Sequence, residues 1–217
     1  LKNKLQLALV HKTQHMSDLF NHILSQEQEL VRLTTLAAKE LRIGENAGKT
    51  DSIEALEILA DTADKIANAQ FDAITPSDIT RALELLNGND YLRKLLTSTR
   101  HQITLNNDLT QRLNRIRLNE ALCADNQRTE RPTIVHNVFN MFYIKQLQPY
   151  QAQLATALQK VSPLLARVWQ FTPDNTGPKA VILGNDNQAL LHALKMASKN
   201  HVIWWQGFYK QCNISPV

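Results

Sequence analysis

The chain has little of what marks several common protein classes. Among its 217 residues only Cys123 and Cys212 are cysteines, which is too few for a disulfide scaffold and allows one intramolecular bridge at most. No apolar run approaches the roughly 18 residues that a membrane-spanning helix needs, and the first residues show no signal-peptide pattern. These absences argue against a disulfide-rich miniprotein and against a membrane span within the sequence.

Motifs with a known catalytic chemistry are also missing. There is no His-Glu-x-x-His, no Gly-x-Ser-x-Gly and no Cys-x-x-Cys. Cys123 has His136 nearby in sequence, which is too little for a nucleophile and its base. Gly184 stands alone where a dinucleotide fingerprint needs three glycines. We therefore predict that the chain is not an enzyme and holds no cofactor.

What the sequence does contain favours helix. Apolar residues make up 43% and charged residues 20%, as in a folded globular domain. Leucine dominates the first 130 residues, where glycine and aromatics are sparse, and unbranched side chains lose little rotamer freedom in a helix. Three-to-four spacing of apolar residues predicts helices over 5–42, 52–71, a short stretch from Pro76, 91–122, 133–147, 150–161 and 162–171. We therefore expect a mainly α, elongated helical bundle.

The composition changes at Thr172–Pro178, which contains several turn-forming residues. Beyond it, Ala180–Leu183 and Val202–Tyr209 are apolar on both faces, as in buried strands, and a helical pattern covers Gln188–Ser198. This predicts a small C-terminal α/β segment with the order strand-helix-strand. The expected domains are a helical bundle over 1–171 and an α/β segment over 172–217.

Charge is distributed unevenly along the chain. The formal net charge is +4, yet residues 44–90 carry ten acids and three bases. An acidic helical stretch between basic neighbours is typical of a bundle whose helices form ion pairs with one another, or of a protein that binds two partners with oppositely charged faces. The basic residues of 91–131 could contact phosphates, although acids are interleaved with them and no aromatics lie between them.

Gly44–Thr50 resembles a phosphate-binding loop. Its glycines and Lys49 suit a phosphate, but one residue is missing between Gly44 and Gly48, and the preceding residues are predicted to be helical rather than extended. Glycines also occur where one helix ends, and Thr50 suits the start of the next. We predict a helix–helix connection here rather than a nucleotide site.

A second constellation consists of His11, His15, Asp18 and His22. Spacings of four, three and four residues place the four side chains on one helical stripe, which is how a helix offers ligands to zinc, nickel or copper. The stripe lies opposite the predicted leucine seam, and no ligands from a second element can be named. We predict a solvated polar stripe, with these residues as weak metal candidates.

The aromatic residues Trp204, Trp205, Phe208 and Tyr209 are the predicted partner-binding site. On a strand, Trp204 and Phe208 would share one face and Trp205 and Tyr209 the other. We therefore expect one tryptophan in the core and its neighbour on a binding surface.

Together these patterns favour a non-enzymatic helical interaction, scaffold or sensory module that binds a protein partner or a small ligand. The chain starts at Leu1 without methionine and already in a helical pattern, so we expect a processed chain or an excised fragment. Two alternatives stay open: a nucleic-acid-associated protein using the basic helix 91–131, and a metal- or nucleotide-dependent enzyme.

Overall fold

The protein is mainly helical. A computed structural model describes residues 2–123, 130–174, 176–184 and 189–215, and these residues contain helices but no β-strand. The α-helices are α1 (Lys2–Gln14), α2 (Met16–Gln26), α3 (Gln28–Val31), α4 (Lys49–Ala67), α5 (Pro76–Asn87), α6 (Tyr91–Leu113), α7 (Leu118–Ala121), α8 (Arg131–Val138), α9 (Gln148–Val168), α10 (Gly177–Ile182) and α11 (Ala189–Gln211). Short 3-10 helices cover Arg32–Thr34 and Phe71–Ala73, and a π-helix covers Phe139–Leu147. Within the described part, no helix is long and apolar enough to cross a membrane.

The predicted single helix over 5–42 is wrong. His15 separates α1 from α2, and Glu27 adopts an extended conformation that ends α2. This turn allows Leu30 and Leu33 to be buried, whereas the leucines of α1 remain exposed. Burial of the later leucines favours the break, because helix propensity alone is a weak preference that tertiary packing overrides.

The second helix is confirmed in type and shifted in its bounds, since α4 covers Lys49–Ala67. Helix α5 packs against α4. The buried face of α4 consists of small and branched residues: Ala55, Leu56, Leu59, Ala60, Ala63 and Ile66. The predicted start of α5 at Pro76 is confirmed, because proline suits a first helical turn whose N–H groups have no partner.

The prolines of α9 do not end it, contrary to the predicted breaks. Pro149 and Pro163 both lie within Gln148–Val168, and the helix keeps one buried face on either side of Pro163. Proline inside a helix costs about 3 kcal/mol. Burial of leucine and valine side chains contributes comparable amounts each, so the packed face outweighs the lost hydrogen bond.

The predicted C-terminal strands are wrong as well. Residues 177–182 form α10, and residues 202–209 belong to α11, a helix of 23 residues. A short apolar run cannot distinguish a buried strand from a buried helix by its period. Leu190, Leu191, Leu194 and Ala197 begin a helical repeat that the later aromatics continue, so the whole stretch folds as one helix.

The chain forms two compact units, and each is discontinuous in sequence. Unit 1 comprises Leu1–Thr97 and Ala157–Leu190, and unit 2 comprises Ser98–Thr156 and Leu191–Val217. The division into contiguous domains 1–171 and 172–217 stays a prediction. In unit 1, ion pairs join the acidic stretch to basic residues, with Glu45 and Lys94 2.8 Å apart and Asp64 paired with Arg167. These pairs agree with internal charge pairing.

Candidate ligand-binding cleft

Unit 2 contains a cleft of about 430 Å³. One wall comes from Tyr143 in the middle of the π-helix and from the first half of α9, and the other wall comes from α11. The lining residues are Tyr143, Gln148, Gln151, Ala152, Ala155, Leu194, Lys195, Ser198, Lys199, Val202, Ile203 and Gln206. Its volume and mainly apolar lining lie in the range of small-molecule binding sites.

Helical spacing and small side chains explain why the cleft exists. On α9, Gln148, Gln151, Ala152 and Ala155 follow the three-to-four spacing that places residues on one face. Ala152 and Ala155 carry only a methyl group, and Ser198 opposite them is also small. The two helices therefore leave space between them where larger side chains would interlock.

A closed set of hydrogen bonds joins the two walls. The Ser198 hydroxyl donates to Gln151 Oε1 at 2.9 Å, and Gln151 Nε2 donates to Asn106 Oδ1 at 3.2 Å. Asn106 Nδ2 donates to Ser198 Oγ at 3.3 Å, which completes the ring, and Gln102 Oε1 accepts a further bond from Gln151. Gln102, Asn106 and Gln151 are buried. A satisfied buried network of this kind fixes the relative position of its helices.

The segments that form the cleft carry positive charge only. Residues 132–156 and 191–217 contain four lysines and no aspartate or glutamate. Two of these lysines, Lys195 and Lys199, line the cleft one helical turn apart. Neither has an ion-pair partner among residues 2–123, 130–174, 176–184 and 189–215.

His201 is buried beside the cleft and is held in one tautomer. Trp205 Nε1 donates to His201 Nε2 at 3.0 Å, so the proton of the neutral ring is on Nδ1, which lies 3.2 Å from Thr110 Oγ1. The His201 ring is 4.8 Å from the ring of Tyr143, a cleft residue on the π-helix. Burial lowers the pKa of His201 below its usual value and raises the pKa of Tyr143.

The predicted partner-binding aromatics form the core of unit 2. Trp204, Trp205, Phe208 and Tyr209 are at most 9% exposed and pack with Phe139 and Tyr143 of the π-helix. They lie on adjacent turns of α11, so the predicted separation onto opposite faces of a strand is wrong. Their role in binding a partner stays a prediction, whereas their position supports the helix that forms one wall of the cleft.

A disulfide between Cys123 and Cys212 closes the same unit. It joins the chain after α7 to the end of α11, next to Phe208 and Tyr209. The sequence allowed this bridge without predicting it, because pairing depends on the distance between two residues that are 89 positions apart.

The loop that resembles a phosphate site lies in unit 1 and connects a 3-10 helix to α4. Gly44 and Gly48 both have positive φ, and a Cβ on Gly48 would meet the Asn89 side chain at 2.7 Å. The preceding residues are irregular, neither the predicted helix nor a strand. A depression lined by Lys49 and Lys160 also contains Glu54 and Glu57, whose carboxylates offset the charge of the two lysines.

The histidine stripe is divided between two helices. His11 lies in α1 and stacks on His15 at 4.4 Å between ring centroids, whereas Asp18 and His22 lie in α2. In the part of the chain that the structure describes, no group of three or more His, Cys, Asp or Glu side chains is placed to hold a metal.

The basic set of 91–131 is partly used in internal contacts. Arg93 donates to the Leu36 carbonyl, Lys94 pairs with Glu45, and Arg117 pairs with Glu120. The terminal nitrogens of Arg100 are buried, so this guanidinium does not present its charge to the surface. Arg128 lies outside the described residues. The nucleic-acid alternative stays a prediction.

The cleft cannot be predicted from any single segment of the sequence. Gln151 and Ser198 are 47 residues apart, and their juxtaposition depends on how α9 and α11 pack. Two signals were nevertheless present: the small residues Ala152 and Ala155 on the face of α9 that also carries Gln148 and Gln151, and the absence of acids from 132–156 and 191–217.

Comparison with known proteins identifies the family. A family model described as a protein of unknown function, DUF3080, matches residues 1–216. No curated protein and no solved structure matches the chain. Because the family match covers nearly the whole sequence, the chain belongs to the DUF3080 family.

Proposed function

We propose that this chain is a non-enzymatic helical module that binds a small, mainly apolar ligand in the cleft between α9 and α11. The proposal depends on the cleft, which has a volume of about 430 Å³ and a mainly apolar lining. The polar residues Gln151 and Ser198 of that lining have their hydrogen bonds satisfied within the protein. Ligand sites typically combine a mainly apolar lining with a small number of oriented polar groups.

The neighbouring structure supports a binding role because it holds the walls in place. The hydrogen-bonded ring of Ser198, Gln151 and Asn106 joins α11, α9 and α6. The aromatic cluster and the Cys123–Cys212 bridge hold α11 against the π-helix and the end of α7. A site that is formed before the ligand arrives loses less entropy on binding.

The test is calorimetric titration with octan-1-ol, which has an apolar chain and no charge. Ala155→Phe should fill the cleft and reduce the affinity at least tenfold, because Ala155 lines it. The matched control is Thr156→Phe, which places the same ring on the next, exposed residue of α9 and should leave affinity unchanged. Equal affinity in both variants, or no binding to the unmodified protein, would contradict the proposal.

A further inference from the structure

We propose that the cleft selects a single-chain amphiphile with an anionic head, of the alkyl carboxylate class. The inference rests on the proposed function, because it concerns the ligand of the same cleft. It adds the sign of the head group and the residues that recognise it, Lys195 and Lys199.

Positive charge lines the cleft at Lys195 and Lys199. No acid lies in residues 132–156 or 191–217, so no side chain of these segments offsets the two lysines of the lining. Both lysines are exposed and lie one turn apart on α11, a spacing that suits two ammonium groups binding one carboxylate. A cation in the same position would meet repulsion from both.

The remainder of the cleft is mainly apolar. Ala152, Ala155, Leu194, Val202 and Ile203 line it, and Ile203 is half exposed. An alkyl chain laid along these residues removes apolar surface of the ligand and of the cleft from water, which favours binding. A purely polar anion such as inorganic phosphate lacks this contribution.

The polar network does not compete for the ligand's head. Gln151 and Ser198 line the cleft, but their hydrogen bonds are made to each other and to Asn106. The two lysines are therefore the lining groups whose charge is available for an anion. We therefore place the ligand's anionic head at the two lysines and its alkyl chain along Ala152 and Ala155.

The experiment compares three eight-carbon probes of matched length by calorimetry: octanoate, octan-1-ol and octylammonium, all below micelle-forming concentrations. We expect octanoate to bind at least tenfold more tightly than octylammonium at low salt, with the preference shrinking as ionic strength rises. In Lys195→Gln/Lys199→Gln the preference for octanoate over octylammonium should fall below threefold.

The matched control is Lys145→Gln/Lys210→Gln, which removes the same charge from two lysines of the same unit outside the lining. It should retain most of the preference for octanoate. If all three probes bind equally and Ala155→Phe weakens all of them, the cleft binds ligands and the anion inference is overturned. If no probe binds, the proposed function fails and the inference fails with it.

Discussion

The Ser198 hydroxyl donates a hydrogen bond to the Gln151 side-chain oxygen at 2.9 Å, and this bond joins the two helices that form the cleft. Gln151 in turn donates to Asn106 and Gln102 of α6. One glutamine therefore connects three helices of unit 2 through hydrogen bonds that are buried or partly buried.

Gln151→Leu should lower the free energy of unfolding by about 1–3 kcal/mol, because it leaves the buried Asn106 and Gln102 and the half-buried Ser198 with unmade hydrogen bonds. The measurement is urea unfolding monitored by circular dichroism. Gln159→Leu, on an exposed position of the same helix, should stay within about 0.5 kcal/mol of the parent. A similar, small effect of both variants would show that the network does not stabilise the walls.

Trp204→Ala and Trp205→Ala should each cost about 3–5 kcal/mol, since both indoles are buried in the aromatic cluster. Thermal melts measured side by side test this. Ile203→Ala, the preceding residue on α11, should cost much less, because Ile203 is 51% exposed. A large loss in one tryptophan variant and none in the other would contradict the helical arrangement and support a surface role for one indole.

Stability should fall as the pH falls below about 6.5, in part because of His201. Burial lowers the pKa of this histidine in the folded protein relative to its ordinary value of 6.5. Above pH 6.5 the His201 ring is neutral in both the folded and the unfolded protein, so its burial costs no stability through protonation. Below it the unfolded chain binds a proton that the folded protein does not, at a cost of up to about 1.4 kcal/mol per pH unit.

The measurement is the free energy of unfolding between pH 7.5 and 4.5 for the parent, His201→Gln and His192→Gln. The His201 variant should be less stable at pH 7.5, and its difference from the parent should narrow as the pH falls. His192 is an exposed histidine of the same helix, and its variant should follow the parent. A constant difference between His201→Gln and the parent across the range would contradict the account.

Reduction of the Cys123–Cys212 bridge should lower stability by about 2–4 kcal/mol, because it releases a long loop in the unfolded chain. Chemical unfolding with and without dithiothreitol measures the loss. In Cys123→Ser/Cys212→Ser the reductant should have no effect, which separates the bridge from any general action of the thiol. Titration of free thiols in the unreduced, unfolded protein should find none among the two cysteines.

Local features of this fold could be predicted from the sequence, whereas tertiary ones could not. The start of α5 at Pro76 depends on the residues of one turn, and the mainly helical character depends on leucine content and spacing. The helical state of Val202–Tyr209 depends instead on its continuity with residues from Ala189 onwards. The same apolar run would suit a strand if a turn preceded it.

The candidate ligand site could not be predicted from a sequence motif. A sequence motif identifies binding residues only when they lie close together along the chain. The glycine loop before α4 has such a pattern, but here it connects two helices. Gln151 and Ser198 meet only after α9 and α11 pack, and nothing in either segment alone specifies the other. Charge is more informative than motifs for this cleft, because the absence of acidic residues from 132–156 and 191–217 can be read from the sequence alone.

The most direct test of the central claim maps where an alkyl probe binds. In a titration of the isotope-labelled protein with octanoate, followed by amide chemical shifts, we expect changes at Gln151, Ala152 and Ala155 of α9 and at Lys195, Ser198 and Val202 of α11. The exposed apolar residues of α1 and α8, such as Leu7 and Ile134, should stay unchanged. Shifts confined to those exposed residues, with the cleft amides unmoved, would contradict a ligand site between α9 and α11.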